Sequence, residues 1–130
     1  MNPIRTVSIP IKRDSVAVYA YLSEPANFPK WSAFITAMER DGDAWVATTV
    51  DGAVRIRFAS RNEFGIVDHW VRVSPQLEVY VPLRVIPNEG GSEVLFSVFR
   101  LPGMSDEQFE RDIGMVTTDL GRLQQALETS

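Results

Sequence analysis

The chain offers one side chain, His69, whose charge changes near neutral pH, and it has no cysteine. A lone imidazole can act as a general acid or base, or anchor a hydroxyl or carbonyl of a bound molecule through one hydrogen bond. The competing reading is a structural histidine held by a local partner. A metal site is disfavoured: without cysteine, carboxylates would have to complete it, and the strand pairing below places none beside His69. A Ser-His-Asp triad is equally poorly supported, because Asp68 adjoins His69 and adjacent strand residues point to opposite faces. There is no nucleophile-elbow or phosphate-loop motif, and Gly90-Gly91 reads as a turn. No cofactor is implied.

The rest of the chain must position that histidine. Its 130 residues suit one domain, 1–130. At this length roughly two thirds of the unfolded surface can be buried, so no metal or disulfide staple is required. A net charge of −4 argues against a nucleic-acid partner, which would demand concentrated basic charge. The N-terminal Met-Asn-Pro-Ile-Arg runs into alternating residues without a signal-peptide core, and no apolar run reaches the roughly 20 residues of a membrane span. The expectation is a cytoplasmic protein with no membrane span. Nothing in the sequence sets its oligomeric state.

Alternation from Ile4 to Ile11, with Val7, Ile9 and Ile11 on one side, predicts a strand. Asp14 and Ser15 open a short helix that Pro25 stops, and Asn27 to Trp31 reads as a second compact turn or helix. Six strands follow at about 34–40, 43–50, 53–61, 66–73, 77–86 and 93–101. Asp41-Gly42 and Asp51-Gly52 supply two-residue hairpin turns, and longer turns fall at 62–65, 74–76 and 88–91. Pro102-Gly103 ends this meander. Ser105 with Gln108 makes a capping box, and Asp106 and Glu107 suit a helix N-terminus. Ile113, Val116, Leu120, Leu123 and Leu127 then form the stripe of a helix of about 22 residues. Gly114 and Gly121 on one flank point to close approach, with tight packing on the sheet preferred to a ligand-facing gap.

Hairpin turns fix register, and register fixes faces. The turns put Met38 opposite Trp45, Trp45 opposite Phe58, Phe58 opposite His69, and His69 opposite Val81. One apolar face then carries Phe34, Thr36, Met38, Trp45, Thr49, Phe58, His69, Leu77 and Val81. Arg55, Arg57, Asp68, Trp70, Arg72, Glu78 and Arg84 fall on the solvated face, with Arg57 stacked on Trp70. A four-residue turn at 88–91 sends Val94, Phe96, Val98 and Arg100 inward; a shift of one residue would reverse them. One apolar sheet face and one amphipathic helix must cover each other. The expected fold is α+β: a seven-stranded curved antiparallel sheet around a long C-terminal helix, with two short helices after the first strand.

This order of elements resembles the START-related and polyketide cyclase superfamily, SRPBCC, whose fold is the helix-grip. The segments Tyr19-Ala20-Tyr21-Leu22-Ser23-Glu24-Pro25 and Asn27-Phe28-Pro29-Lys30-Trp31 look like that superfamily's link between first strand and sheet. The run Pro102-Gly103-Met104-Ser105-Asp106-Glu107 resembles one uncharacterised branch of it. The likeness spans nearly the whole chain and implies a pocket between sheet and helix. It implies no catalytic residue, because the superfamily shares no common catalytic motif, and fold alone does not set function.

Three functions are carried forward. The first is binding of a small apolar or amphipathic molecule, with Met38, Trp45, Thr49, Phe58, His69, Val81, Arg100, Thr117 and Leu120 as candidate contacts. The second is a cyclase/aromatase-like enzyme with His69 as acid or base. The third is a protein-contact module whose core is filled. A ligand site would be expected to enclose a few hundred Å³.

Overall fold

Local signals set most of the elements. The computed structural model describes residues 1–129 of the chain. Strand β1 (Ile4–Ile11) leads into α1 (Ser15–Leu22), then a 3₁₀ turn (Pro25–Asn27) and the one-turn helix α2 (Phe28–Trp31). Asp14 caps α1 by accepting the Ala17 N–H at 3.0 Å, supplying a partner that a helix N-terminus lacks. The meander is β2 (Ile35–Asp41), β3 (Ala44–Thr49), β4 (Gly52–Phe58), β5 (His69–Ser74), β6 (Leu77–Val81), β7 (Leu83–Asn88) and β8 (Gly91–Phe99). Helix α3 (Asp106–Glu128) closes the described chain. Its cap is half the expected box: Ser105 accepts the Gln108 N–H, but the Gln108 side chain turns to Asp112.

The expected single seven-stranded sheet is instead two antiparallel sheets, of order β2-β3-β4-β5-β6 and β1-β8-β7. The reason lies at Pro82. The predicted strand 77–86 is broken there, because proline has no N–H for a ladder. Before the break the chain pairs with β5; after it, with β8. Backbone bonds from Val67 N–H to Leu83 O and from Val85 N–H to Gly65 O stitch the sheets together. Gly65 is required at this seam: its φ is +72°, and a Cβ there would lie 2.2 Å from Val85 O.

Asp68 belongs to the same seam, which corrects its expected place on the solvated face. It is only 5% exposed. Its carboxylate accepts the Leu83 N–H at 3.0 Å, the first donor after Pro82, the Tyr80 hydroxyl at 2.6 Å, and two bonds from Arg84. Burial alone would raise its pKa; the bonds from Arg84, Tyr80 and Leu83, with the Arg84 charge, reverse this and hold it below the usual aspartate value.

Register follows loop length where loops are longer. Phe58 faces His69, Ile56 faces Val71 and His69 faces Val81, as expected. The two tight hairpins each slide by two residues. Met38 pairs with Ala47 and Trp45 with Ile56, around turns at 42–43 and 50–51. A slide of two preserves faces, so the apolar side survives. One exception is Thr36: a bulge between Ile35 and Ala37 turns Ile35 inward and leaves Thr36 exposed, bonded to Thr48 O. The other is Leu77, which is 42% exposed beyond a second irregularity at the β5–β6 turn. The last strand takes the expected register, with Val94 fully buried opposite Val85.

Helix α3 lies against β1, β8 and α2. Leu120, Leu123 and Leu127 are buried within the core, and Ile113 is 7% exposed. Gly114 and Gly121 do not mark close packing, since a Cβ at either position would meet nothing within 4 Å. No helix among the described residues is long and apolar enough to cross a membrane.

Candidate functional site

A cavity of about 150 Å³ lies between the five-stranded sheet and the α2–α3 side of the molecule. Strand β5 delivers His69 to its wall, and β6 and β8 deliver Val81 and Phe96. Trp31 of α2 and Phe34 close one side, and α3 contributes Asp119. Apart from His69, Asp119 and Ser32, the lining is apolar or aromatic. The volume is below the few hundred Å³ expected of a ligand site; an apolar cavity of about 150 Å³ accommodates one benzene-sized ring.

His69 is 4% exposed and surrounded by aromatic rings. The ring centroids of Phe58, Phe28 and Phe96 lie 5.3, 5.7 and 6.4 Å from its own. Burial drives its pKa from 6.5 down to about 4; the Val67 carbonyl and the Asp68 charge oppose this more weakly. The ring is therefore neutral at pH 7. Nδ1 lies 3.1 Å from Val67 O, which can only accept, so Nδ1 carries the proton. Nε2 is left as a lone-pair acceptor with no hydrogen-bond partner among the described residues.

Two further polar groups belong to the wall. The Trp31 indole is 2% exposed, and its Nε1–H is buried without a partner among the described residues. Asp119 is 9% exposed; Oδ1 accepts the Ala33 N–H at 3.1 Å and an Arg122 N–H at 2.7 Å. Burial raises its pKa, against the Ala33 bond and the Arg122 charge. The Ala33 bond ties the α2–β2 link to α3, so Asp119 holds one side of the cavity in place.

Of the residues singled out from sequence, His69 and Val81 meet in the wall, with Phe58 packed behind His69. The others lie outside it. Leu120 is core, at 1% exposed, and Met38 packs against the core. Trp45 is half-buried opposite Ile56. The Thr49 hydroxyl bonds to Gly52 O and accepts the Asp51 N–H, so it serves its hairpin turn. Thr117 is exposed and bonded to Ile113 O of its own helix. Arg100 binds Met104 O and the Asp106 carboxylate at the start of α3. Sequence reasoning missed Asp119 and Ser32, and read Trp31 only as the end of a compact turn or helix. For Asp119 a signal existed: an acid three residues after Val116, on the flank of the apolar stripe.

A larger hollow of about 530 Å³ lies on the outside, between α1 and the loop at 61–65. Its central polar groups are engaged: the Tyr19 hydroxyl accepts the Asn62 N–H, and Asn62 Oδ1 accepts from Phe64 and Ile66. The interior cavity is the better candidate, because its wall includes an acceptor, His69 Nε2, with no protein partner among the described residues.

Known structures place this architecture. A START superfamily protein from Mycobacterium smegmatis superposes with a TM-score of 0.77 at 9% identity, covering 99% of both chains. The fold is of the SRPBCC type. An uncharacterized protein from Bacillus thuringiensis matches with a TM-score of 0.79 and 19% identity, over 96% of this chain and 98% of that one. The di-domain ARO/CYC BexL, from the BE-7585A biosynthetic pathway, matches with a TM-score of 0.69 and 15% identity. This chain covers 98% of its own length there but 45% of BexL. No family model and no curated protein matches the chain.

Proposed function

We propose that the protein binds a small neutral molecule, an apolar ring bearing a hydroxyl group, in the cavity between the sheet and α3. One observation carries this reading: an apolar cavity whose wall holds His69, with an Nε2 acceptor that has no protein partner among the described residues. Polar groups inside folded proteins are nearly always paired, so an imidazole acceptor that lacks a protein partner, yet is not sealed off, suits a guest that can donate to it. A hydroxyl can donate to that nitrogen. The aromatic lining favours a flat apolar body.

The same geometry favours binding over turnover. An efficient general base has a pKa near the working pH, and His69, at about 4, is a weak base at pH 7. A cyclase/aromatase-like role would therefore need the substrate itself to raise that value.

The test compares 4-methylphenol with 1,4-dimethylbenzene, which replaces the hydroxyl by a methyl, by NMR titration of the intact chain. The hydroxyl should tighten binding about 3- to 10-fold, the worth of one net hydrogen bond. His69→Phe should erase that difference. If neither probe shifts the resonances of residues around the cavity at millimolar concentration, the binding reading fails.

A further inference from the structure

The break at Pro82 leaves a fork between β6 and β8. The last backbone link across it is Ser97 N–H to Pro82 O, at 3.0 Å. Beyond that point β6 pairs only with β5, while β8 continues along β1. The fork encloses about 300 Å³, lined largely by apolar side chains that include Val79, Val98, Leu101, Met104 and Val116. Its polar side chains are already engaged: Ser97 bonds to Thr6, Asp112 to Gln108, and Tyr80 to Asp68. Tyr80 and Phe99 stack across it, with ring centroids 6.1 Å apart.

Val81 and Phe96 line both this fork and the interior cavity, so a single layer of side chains separates them. The interior side has an unpaired acceptor and little room. The fork has twice the volume and no free polar side chain. A molecule matching both would carry its polar group on a ring beside His69 and an apolar chain at the opposite end of that ring.

We propose that the fork is a second compartment of the same site, and that the ligand is an elongated amphiphile: a hydroxylated ring seated at His69, with an unbranched alkyl chain passing Phe96 and Val81 to lie between β6 and β8. This rests on the cavity binding proposed above. It makes the sheet break a specificity feature, because an unbroken ladder between β6 and β8 would occupy that space.

The probes are 4-methylphenol, 4-butylphenol and 4-octylphenol, titrated below their aggregation limits. Each methylene that enters the fork should tighten binding by up to about 4-fold, the value of a buried CH₂. NOEs from the terminal methyl of 4-octylphenol should reach Val79, Val98 and Met104. Val98→Trp should fill the fork and return 4-octylphenol to the affinity of 4-methylphenol, leaving 4-methylphenol itself unchanged. The NOE readout on the unmodified protein stands even where that variant does not fold. Failure of 4-methylphenol to bind would strike the cavity reading. Binding of 4-methylphenol with no gain from the longer chains, or NOEs from the chain to Val16 and Phe64 of the outer hollow, would overturn the fork alone.

Discussion

Replacing His69 by phenylalanine should flatten the acid limb of the protein's stability curve, and the size of the effect follows from burial. In the unfolded chain the imidazole takes its proton near 6.5; inside the aromatic cluster it does so only near 4. Between these values the unfolded state binds more protons than the native state, so stability falls as pH falls. The loss is complete once pH drops through the folded value and amounts to about 3 kcal/mol at 1.36 kcal/mol per pH unit. Asp68, held low, adds a loss at still lower pH, while Asp119, held high, works in the opposite direction. Asp119 acts equally in parent and variant, so the difference between the two curves reports His69 together with its weaker coupling to the adjacent Asp68 charge. Phenylalanine is larger and leaves Val67 O without its donor, which adds an offset of about 1–3 kcal/mol. That offset is independent of pH. Urea unfolding followed by circular dichroism from about pH 7.5 to about pH 4 gives both curves, and the ring-proton NMR titration gives the histidine directly. Parallel curves, or a ring that titrates near 6.5, would refute the burial argument and with it the neutral acceptor at the cavity wall.

Leu120→Ala should cost about 2–5 kcal/mol through the cavity it leaves at the helix–sheet contact, measured as a shift in denaturation midpoint. Arg57→Ala should cost less than about 1 kcal/mol, because its ion pair with Glu78 and its stack on Trp70 lie on the solvated face. Gly114→Ala and Gly121→Ala should each stabilise by about 0.5–1 kcal/mol, since helix propensity improves and the added methyl meets no neighbour. Gly65→Ala should destabilise by at least about 2 kcal/mol, combining a left-handed backbone with a clash on Val85 O; a neutral result in thermal unfolding would count against the seam described between the sheets.

What the sequence determined by itself is what neighbouring residues decide. The α3 stripe, the Ser105 and Asp14 caps and the pairing of Phe58, His69 and Val81 rest on spacings of a few residues, and all appear in the structure. The tight hairpins erred by two residues without moving a face, since strand side chains repeat with a period of two. The burial of His69 was legible for that reason. The cavity around it was not. Trp31 and Asp119 reach it only because α2 is tied to α3 through Ala33, a contact across 86 residues of chain that no local pattern encodes. Pro82 was visible in the sequence as a residue without a donor, yet proline can end a strand, sit at an edge or pass a chain between sheets. Which of these occurs depends on what waits on the far side. Here Asp68 accepts the Leu83 N–H, and β8 takes up the ladder, so one predicted strand becomes two and the sheet opens into a fork. Periodicity fixes which way a side chain points; only the packing of distant segments fixes what it meets.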